Sequence, residues 1–251
     1  MNPKLDVFDL DGTLAASKSP VTGQMGTLLA RLLEKMPVAV MSGGAWKQFE
    51  KQLLPALPSD ARLDRLYLFP VSAAECLRYE DGEWRTVYTN RFSDEERERV
   101  MTALDEGLEE TGMDALPEQV WGERIEDRGA QITFSGLGQE APIAQKAAWD
   151  PDQTKRKPLA DALRRKLPDF SIRANAASSI DITREGITKA YGVRELAKLS
   201  GISIADMTYT GDALHPGGND EVVKETGIRT VPVDGPEDTA RVIADLIGSP
   251  A

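Results

Sequence analysis

A single cysteine, Cys76, in 251 residues excludes an intramolecular disulfide and any cysteine-built metal cluster. No run of apolar residues approaches the length of a membrane span. The opening MNPKLDVFDLDG also lacks the apolar stretch of a secretory signal, so a cytoplasmic protein is expected. Basic residues are in deficit, with 30 Lys and Arg against 41 Asp and Glu and a formal charge of -11. Nucleic acids and anionic membranes are bound through basic patches, so the composition argues against both as partners. Compositional bias is absent too. Hydrophobic residues at 41% and charged residues at 28% are ordinary for a globular chain large enough to bury a core without staples.

What is present is an alternation of buried strands and helices. Leu5–Leu10 is an apolar-rich run stopped by Asp11-Gly12, which predicts a strand entering a turn. A helix is expected over Thr22–Lys35, strands over Val38–Met41 and Leu66–Phe69, and a helix over Ala45–Leu54. This rhythm predicts an α/β fold with a doubly wound parallel sheet. It changes near Glu75, where Glu75–Tyr79 and Trp84–Tyr88 flank the hairpin signal Asp81-Gly82. Ser93 and Glu96 form a capping-box pattern for a helix reaching about Thr111. Strands are expected at Trp121–Glu126, Ala130–Phe134, Phe170–Ala174 and Ser179–Thr183, with a helix over Asp152–Lys166. The βα rhythm then resumes, with helix Lys189–Leu199, strand Met207–Gly211, short helix Glu221–Thr226, strand Arg229–Val233 and helix Pro236–Ile247. The expected organisation is a core of 1–83 and 184–251 interrupted by an inserted α+β cap of 84–183.

Chemistry-bearing residues recur where strands end. Asp9-Leu10-Asp11-Gly12-Thr13 follows the first strand, at the sheet edge where open α/β folds bind ligands. A carboxylate nucleophile is ionised at neutral pH without a base, and a second carboxyl can act as general acid and then general base. Two acids this close repel, which makes a divalent cation the natural partner. Ser42-Gly43-Gly44 follows the next recognised strand and reads either as a phosphate cradle or as simple punctuation. Lys189 starts a helix, where a cation opposes the dipole; a bound phosphate would explain it, and so would a solvated surface position. Gly211-Asp212 ends another apolar run, and Pro216-Gly217-Gly218-Asn219-Asp220 makes a tight loop. Asp212 is a candidate metal ligand there, with Asn219 and Asp220 behind it; a plain turn is the alternative. His215, the sole histidine, reads as a solvated loop residue, and Trp46, Trp84, Trp121 and Trp149 as packing groups.

The series DLDGT, Ser42, Lys189 and Gly211-Asp212 resembles the four motifs of the haloacid dehalogenase-like phosphotransferases, over nearly the whole chain. The insertion resembles the α/β cap of one branch. MSGGAWKQFEKQL, LFPVSAAECLRYEDGEW, SIDITREGITKAYGVREL and GDALHPGGNDE are most similar to segments of the eukaryotic-type phosphomannomutases. The resemblance implies Asp9 as nucleophile, Asp11 as acid/base, and Asp9, the Asp11 main-chain carbonyl and Asp212 as Mg²⁺ ligands. It implies that Ser42, Gly43 and Lys189 hold the transferring phosphoryl group. In the cap, Arg128, Ser179 and Asp181 match positions that hold the sugar or its distal phosphate. The mutases carry further arginines where this chain has Gln139 and Lys146, and neither side chain offers the guanidinium fork.

A mutase holds a bisphosphorylated intermediate in two orientations, whereas a phosphatase needs one strong phosphate site. The sequence therefore places first a Mg²⁺-dependent phosphatase acting on a sugar phosphate or similar small phosphorylated metabolite through an aspartyl-phosphate. Lys146 joins Arg128, Ser179 and Asp181 as a substrate contact. A phosphomannomutase-like phosphohexomutase comes second, and a non-catalytic sugar-phosphate binder third. A homodimer is compatible with all three.

Overall fold

The computed structural model describes residues 3–17, 19–174 and 178–248. Strand β1 (Leu5–Asp9) is buried along its whole length, as an interior parallel strand covered on both faces must be. Thr22 caps α1 (Gly23–Lys35), its hydroxyl accepting the Met25 N–H at 3.2 Å. The sequence then runs through β2 (Val38–Met41), α2 (Trp46–Gln52) and β3 (Leu66–Phe69) to the hairpin of β4 (Glu75–Glu80) and β5 (Glu83–Thr89).

The following segment forms a unit of its own. Ser93 and Glu96 make the reciprocal capping box that opens α3 (Asp94–Thr111). Strands β6 (Ile125–Asp127) and β7 (Gln131–Ser135), helices α4 (Ile143–Trp149) and α5 (Arg156–Lys166), and strands β8 (Phe170–Arg173) and β9 (Ser179–Arg184) follow. The strands pair antiparallel in the order β6-β7-β9-β8. Ile132, Phe134, Ile180 and Ile182 are buried with Val100 and Leu104 of α3 and Leu159 and Leu163 of α5. Burying each such side chain contributes about 1.5–3 kcal/mol, enough to give this unit its own core.

Helix α6 (Lys189–Ser200), β10 (Met207–Gly211), β11 (Arg229–Pro232) and α7 (Pro236–Gly248) complete the chain. The large sheet has the order β11-β10-β1-β2-β3-β4-β5, parallel from β11 to β3 and antiparallel over the hairpin. Phe8, Val40 and Leu68 pack with Leu29 of α1 and Ile243 of α7. Val7, Met41 and Tyr209 pack with Val193 and Leu196 of α6. Helices therefore cover both faces of the sheet, the α/β architecture expected from the sequence.

The chain divides into 1–89 with 187–251, and 90–186. The first division falls beyond 83 because β5 stays hydrogen-bonded to β4 in the large sheet. The second falls beyond 184 because β9 continues to Arg184, paired with Phe170. Two expected elements differ and one helix is additional. The strand at Trp121–Glu126 shrinks to Ile125–Asp127. The helix expected from Asp152 begins at Arg156, where Asp150 receives the N–H groups of Lys155 and Arg156. Helix α4 had no sequence signal, because its Ile143 is 59% exposed and so breaks the inward apolar period.

Candidate active site

Parallel strands bring their carboxyl ends to one edge, and the candidate residues collect there. Asp9 closes β1 and pairs in register with Met41, whose successor is Ser42; Gly211 closes β10 and is followed by Asp212. Gly12 turns the chain with φ +86°, and a Cβ at this position would collide with the Asp212 carboxylate. Thr13 locks the two segments together: its buried hydroxyl donates to Asp212 Oδ1 and accepts from the Asp212 N–H, both at 3.1 Å.

Oxygens of Asp9, Asp212 and Asp220 lie within 4.8 Å of one another. Asp9 and Asp220 are buried, whereas Asp212 faces solvent. Lys189, at the start of α6, is 2% exposed, which removes the solvated alternative for it. Its ammonium donates to Asp9 Oδ1 and, at 2.5 Å, to Asp220 Oδ1. Tyr209 donates its hydroxyl to the same Asp220 oxygen at 2.6 Å, and the Ala213 N–H reaches Asp220 Oδ2 at 3.3 Å. Burial pushes the Asp9 carboxyl up to about 7; Lys189 pulls it down while Asp220 and Asp212 push it further up. Burial alone would lower Lys189, but Asp220 and Asp9 hold it well above the ordinary lysine range.

Three clustered carboxylates, two of them paired with one ammonium, leave two formal negative charges that a divalent cation would balance. The donors are all hard oxygens, and Asp212 is solvent-accessible, so the residues fit Mg²⁺. Asp220, placed behind the ligands from the sequence, joins the cluster itself. Asn219 is exposed and makes no hydrogen bond to these carboxylates among the described residues. The Asp11 carboxylate is held by two glutamines one helical turn apart on α2, Gln48 Nε2 at 2.5 Å and Gln52 Nε2 at 3.3 Å.

Ser42 is buried, and its hydroxyl accepts the Gly44 N–H at 3.1 Å. The turn after β3 braces this segment: Ser72 N–H donates to the Ser42 carbonyl at 2.8 Å and Val71 N–H to the Gly44 carbonyl at 2.9 Å. Val71, Ser72 and Ala73 all have positive φ, at 53°, 53° and 69°. Three successive non-glycine residues in the left-handed region are costly, and such strain gathers at functional sites. A Cβ on Gly43 would meet Ser72 Oγ at 3.7 Å.

His215 is exposed, as expected, and Trp46 packs on Phe49 and Trp84. Thr13 belongs to the motif after β1, whereas Gln48, Gln52 and Tyr209 join the site from outside the sequence candidates. The two glutamines carried a usable signal, their four-residue spacing behind Ser42; Tyr209 carried none, since it lies inside an apolar strand.

The remaining candidates lie in the inserted unit. Arg128 is paired with Glu126 through Nε at 3.0 Å and Nη2 at 2.6 Å. Lys146 on α4 is 9% exposed and donates to the Gln139 carbonyl at 2.8 Å. Ser179 and Asp181 stand on β9. The Ser179 carbonyl accepts from Arg156 at 3.0 Å, and Asp181 Oδ1 accepts from the Thr133 hydroxyl at 2.8 Å. Arg156 is itself fully buried against Asp150 at 2.7 Å, an arrangement that ties α5 to the start of β9.

The sheet order, the interrupted core and the carboxylate pair after β1 define a haloacid dehalogenase-like enzyme. The same fold is seen in a haloacid dehalogenase-like hydrolase from Bacteroides thetaiotaomicron, with TM-score 0.64 and 16% identity over 98% of this chain and all of the other. IMP-bound Plasmodium falciparum IMP-nucleotidase matches with TM-score 0.72 and 16% identity, over 99% of this chain and 69% of that one. The model of the eukaryotic phosphomannomutase family matches residues 25–249, and the chain belongs to that family. The phosphomannomutase of Saccharomyces cerevisiae is 23% identical over 96% of this chain and 93% of its own length. That of Triticum aestivum is 26% identical over 94% and 92%. Among the described residues no helix is long and apolar enough to cross a membrane.

Proposed function

We propose that the protein is a Mg²⁺-dependent phosphohexomutase that passes a phosphoryl group between sugar hydroxyls by way of Asp9. The observation that carries this is the cluster of Asp9, Asp212 and Asp220 around Lys189, in a chain matched by the phosphomannomutase family over 25–249. The family match favours isomerisation over the hydrolysis placed first on sequence grounds.

The residues support the following chemistry. Asp9 attacks the phosphorus, the P–O bond to the sugar breaks, and Asp11 gives the departing oxygen a proton. Gln48 and Gln52 fix the Asp11 carboxyl for that task. Lys189 stabilises charge on the transferring oxygens, and Ser42 with the Gly43 and Gly44 backbone cradles them. In the reverse step Asp11 takes the proton from the incoming hydroxyl, and the aspartyl-phosphate bond breaks. Asp9, the Asp11 carbonyl and Asp212 would hold Mg²⁺, with Asp220 beside them. The ion would screen the repulsion between Asp9 and phosphate. The inserted unit recognises the substrate, with Arg128, Lys146, Ser179 and Asp181 as contacts.

Hydrolysis is the second reading, favoured by Gln139 and Lys146. The Lys146 ammonium is already engaged by the Gln139 carbonyl, so neither position supplies a fork for a second phosphate. Water would then accept the phosphoryl group from Asp9. The test is incubation with Mg²⁺ and mannose 1-phosphate or glucose 1-phosphate, with and without a hexose bisphosphate, following both the 6-phosphate isomer and free phosphate. Isomer forming faster supports the mutase, free phosphate forming faster supports hydrolysis, and neither product across a panel of phosphomonoesters contradicts both.

A further inference from the structure

One face of the inserted unit's sheet is polar along its length. Strand pairing aligns Glu126, Thr133, Asp181 and Arg173 in one row across the four strands, and Gln131, Thr183 and Ser171 in the next. A hydrogen-bonded chain runs over this face: Gln131 Nε2 donates to Thr133 Oγ1 at 2.8 Å, and Thr133 donates to Asp181 Oδ1 at 2.8 Å. Gln131 is only 1% exposed, and among the described residues its Oε1 receives no hydrogen bond. A buried amide carbonyl without a donor is costly in the protein alone and is relieved by a ligand hydroxyl.

Arg173 stands directly opposite Asp181 on the neighbouring strand. Strands lie about 4.8 Å apart, so a guanidinium and a carboxylate in such a register readily close an ion pair. They do not close one here. Arg173 donates through Nε to the neutral Ser171 hydroxyl at 3.3 Å, and among the described residues no carboxylate forms an ion pair with it. The other two cationic candidates are engaged differently, Arg128 by Glu126 and Lys146 by a carbonyl.

We propose that Arg173 is a specificity-determining residue that binds an anionic group of the substrate, while Asp181 and Gln131 Oε1 accept hydrogen bonds from its hydroxyls. The ligand class is a phosphorylated sugar bearing a second anionic group, either a second phosphate or a carboxylate. This deepens the sugar-phosphate reading above and rests on it. Arg173 fits the task because a fork of N–H donors matches either oxyanion and the chain's net charge of -11 supplies no general attraction.

The test is calorimetric binding to the full chain carrying Asp9→Asn. The probes are glucose 1-phosphate, glucose 1,6-bisphosphate and gluconate 6-phosphate. At least one doubly anionic probe should bind more tightly than glucose 1-phosphate. Arg173→Gln should erase that preference by about tenfold, the loss of one charge-assisted contact. Arg173→Lys should keep part of it, and thermal midpoints should not move. The doubly anionic probe that loses more identifies the second anion. A preference that survives Arg173→Gln, no preference in the parent, or equal weakening of all three probes with a lowered midpoint overturns the assignment. Failure of the phosphotransfer reading would appear separately, as neither isomer nor free phosphate from the chain with Asp9 intact.

Discussion

Lys189 Nζ lies 2.5 Å from Asp220 Oδ1, and the same ammonium also pairs with Asp9. Two buried carboxylates, one from each side of the insertion, therefore share one cation. Removing that cation would leave Asp9 and Asp220 repelling each other in a buried site. The predicted result of Lys189→Ala is loss of turnover together with a lowered thermal midpoint. Wild-type turnover would remove Lys189 from the chemistry.

Tyr209 holds that same Asp220 oxygen from the other side at 2.6 Å. Tyr209→Phe deletes one hydroxyl and leaves the ring in place, freeing Asp220 to rotate within the carboxylate cluster. Half-saturation by Mg²⁺ should move upward by roughly threefold to tenfold, the range for loss of one hydrogen bond to a charged group beside a ligand. Asp212→Ala should move it further. Identical metal titrations for wild type, Tyr209→Phe and Asp212→Ala would rule out this cluster as the metal site.

Asp6 is a second buried carboxyl on β1. Thr208 donates to its Oδ1 at 2.7 Å, and among the described residues its Oδ2 has no hydrogen-bond partner. Burial raises it from 3.8 to about 7, with Thr208 pulling it back only in part. The folded state therefore holds a proton that the unfolded chain releases near pH 4, and stability falls as pH rises from about 4 to about 7. Asp6→Asn should flatten this slope in urea unfolding. Asp9 titrates in the same window, so the quantity to compare is the difference between the two proteins. Parallel pH profiles would contradict the assignment to Asp6.

The strands that carry the site were legible because interior parallel strands are continuous apolar runs. β2, β3 and β10 fall where the sequence placed them. Asp9, Asp11, Ser42, Lys189 and Asp212 stand out as candidates in the sequence because each lies near a strand end or helix start, where a polar residue interrupts an apolar run. Tyr209 does not, since an aromatic residue inside a strand reads as core, and its hydroxyl meets Asp220 only after the loop folds back. The row of Glu126, Thr133, Asp181 and Arg173 was hidden for another reason. β7 and β9 are separated in sequence by α4, α5 and β8, so no hairpin turn fixes the register between them.

Ser72 has φ 53°, in a turn hydrogen-bonded to the Ser42 and Gly44 carbonyls. Glycine occupies that region without steric cost, so Ser72→Gly should stabilise the protein by about 1 kcal/mol. Activity should fall if the Ser72 hydroxyl beside Gly43 assists the cradle. Destabilisation at an unchanged urea m-value would show that side-chain contacts outweigh the backbone strain.

Arg128 is placed in substrate recognition rather than in the chemistry. Arg128→Ala should lower kcat/KM for the best sugar phosphate by about tenfold or more while changing little for a small aryl phosphate. Equal losses on both substrates would assign Arg128 to the fold.

The central claim is that the phosphoryl group passes through Asp9. The protein is incubated with Mg²⁺ and a hexose 1,6-bisphosphate, quenched in acid, and its peptides analysed by mass spectrometry. One phosphoryl group should be found on the peptide containing Asp9, labile to hydroxylamine as an acyl-phosphate is. Asp9→Asn should show neither that adduct nor turnover, which falls by several orders of magnitude when a covalent step is lost. Phosphorylation at another residue, or Asp9→Asn retaining more than roughly a tenth of wild-type turnover, would contradict the account.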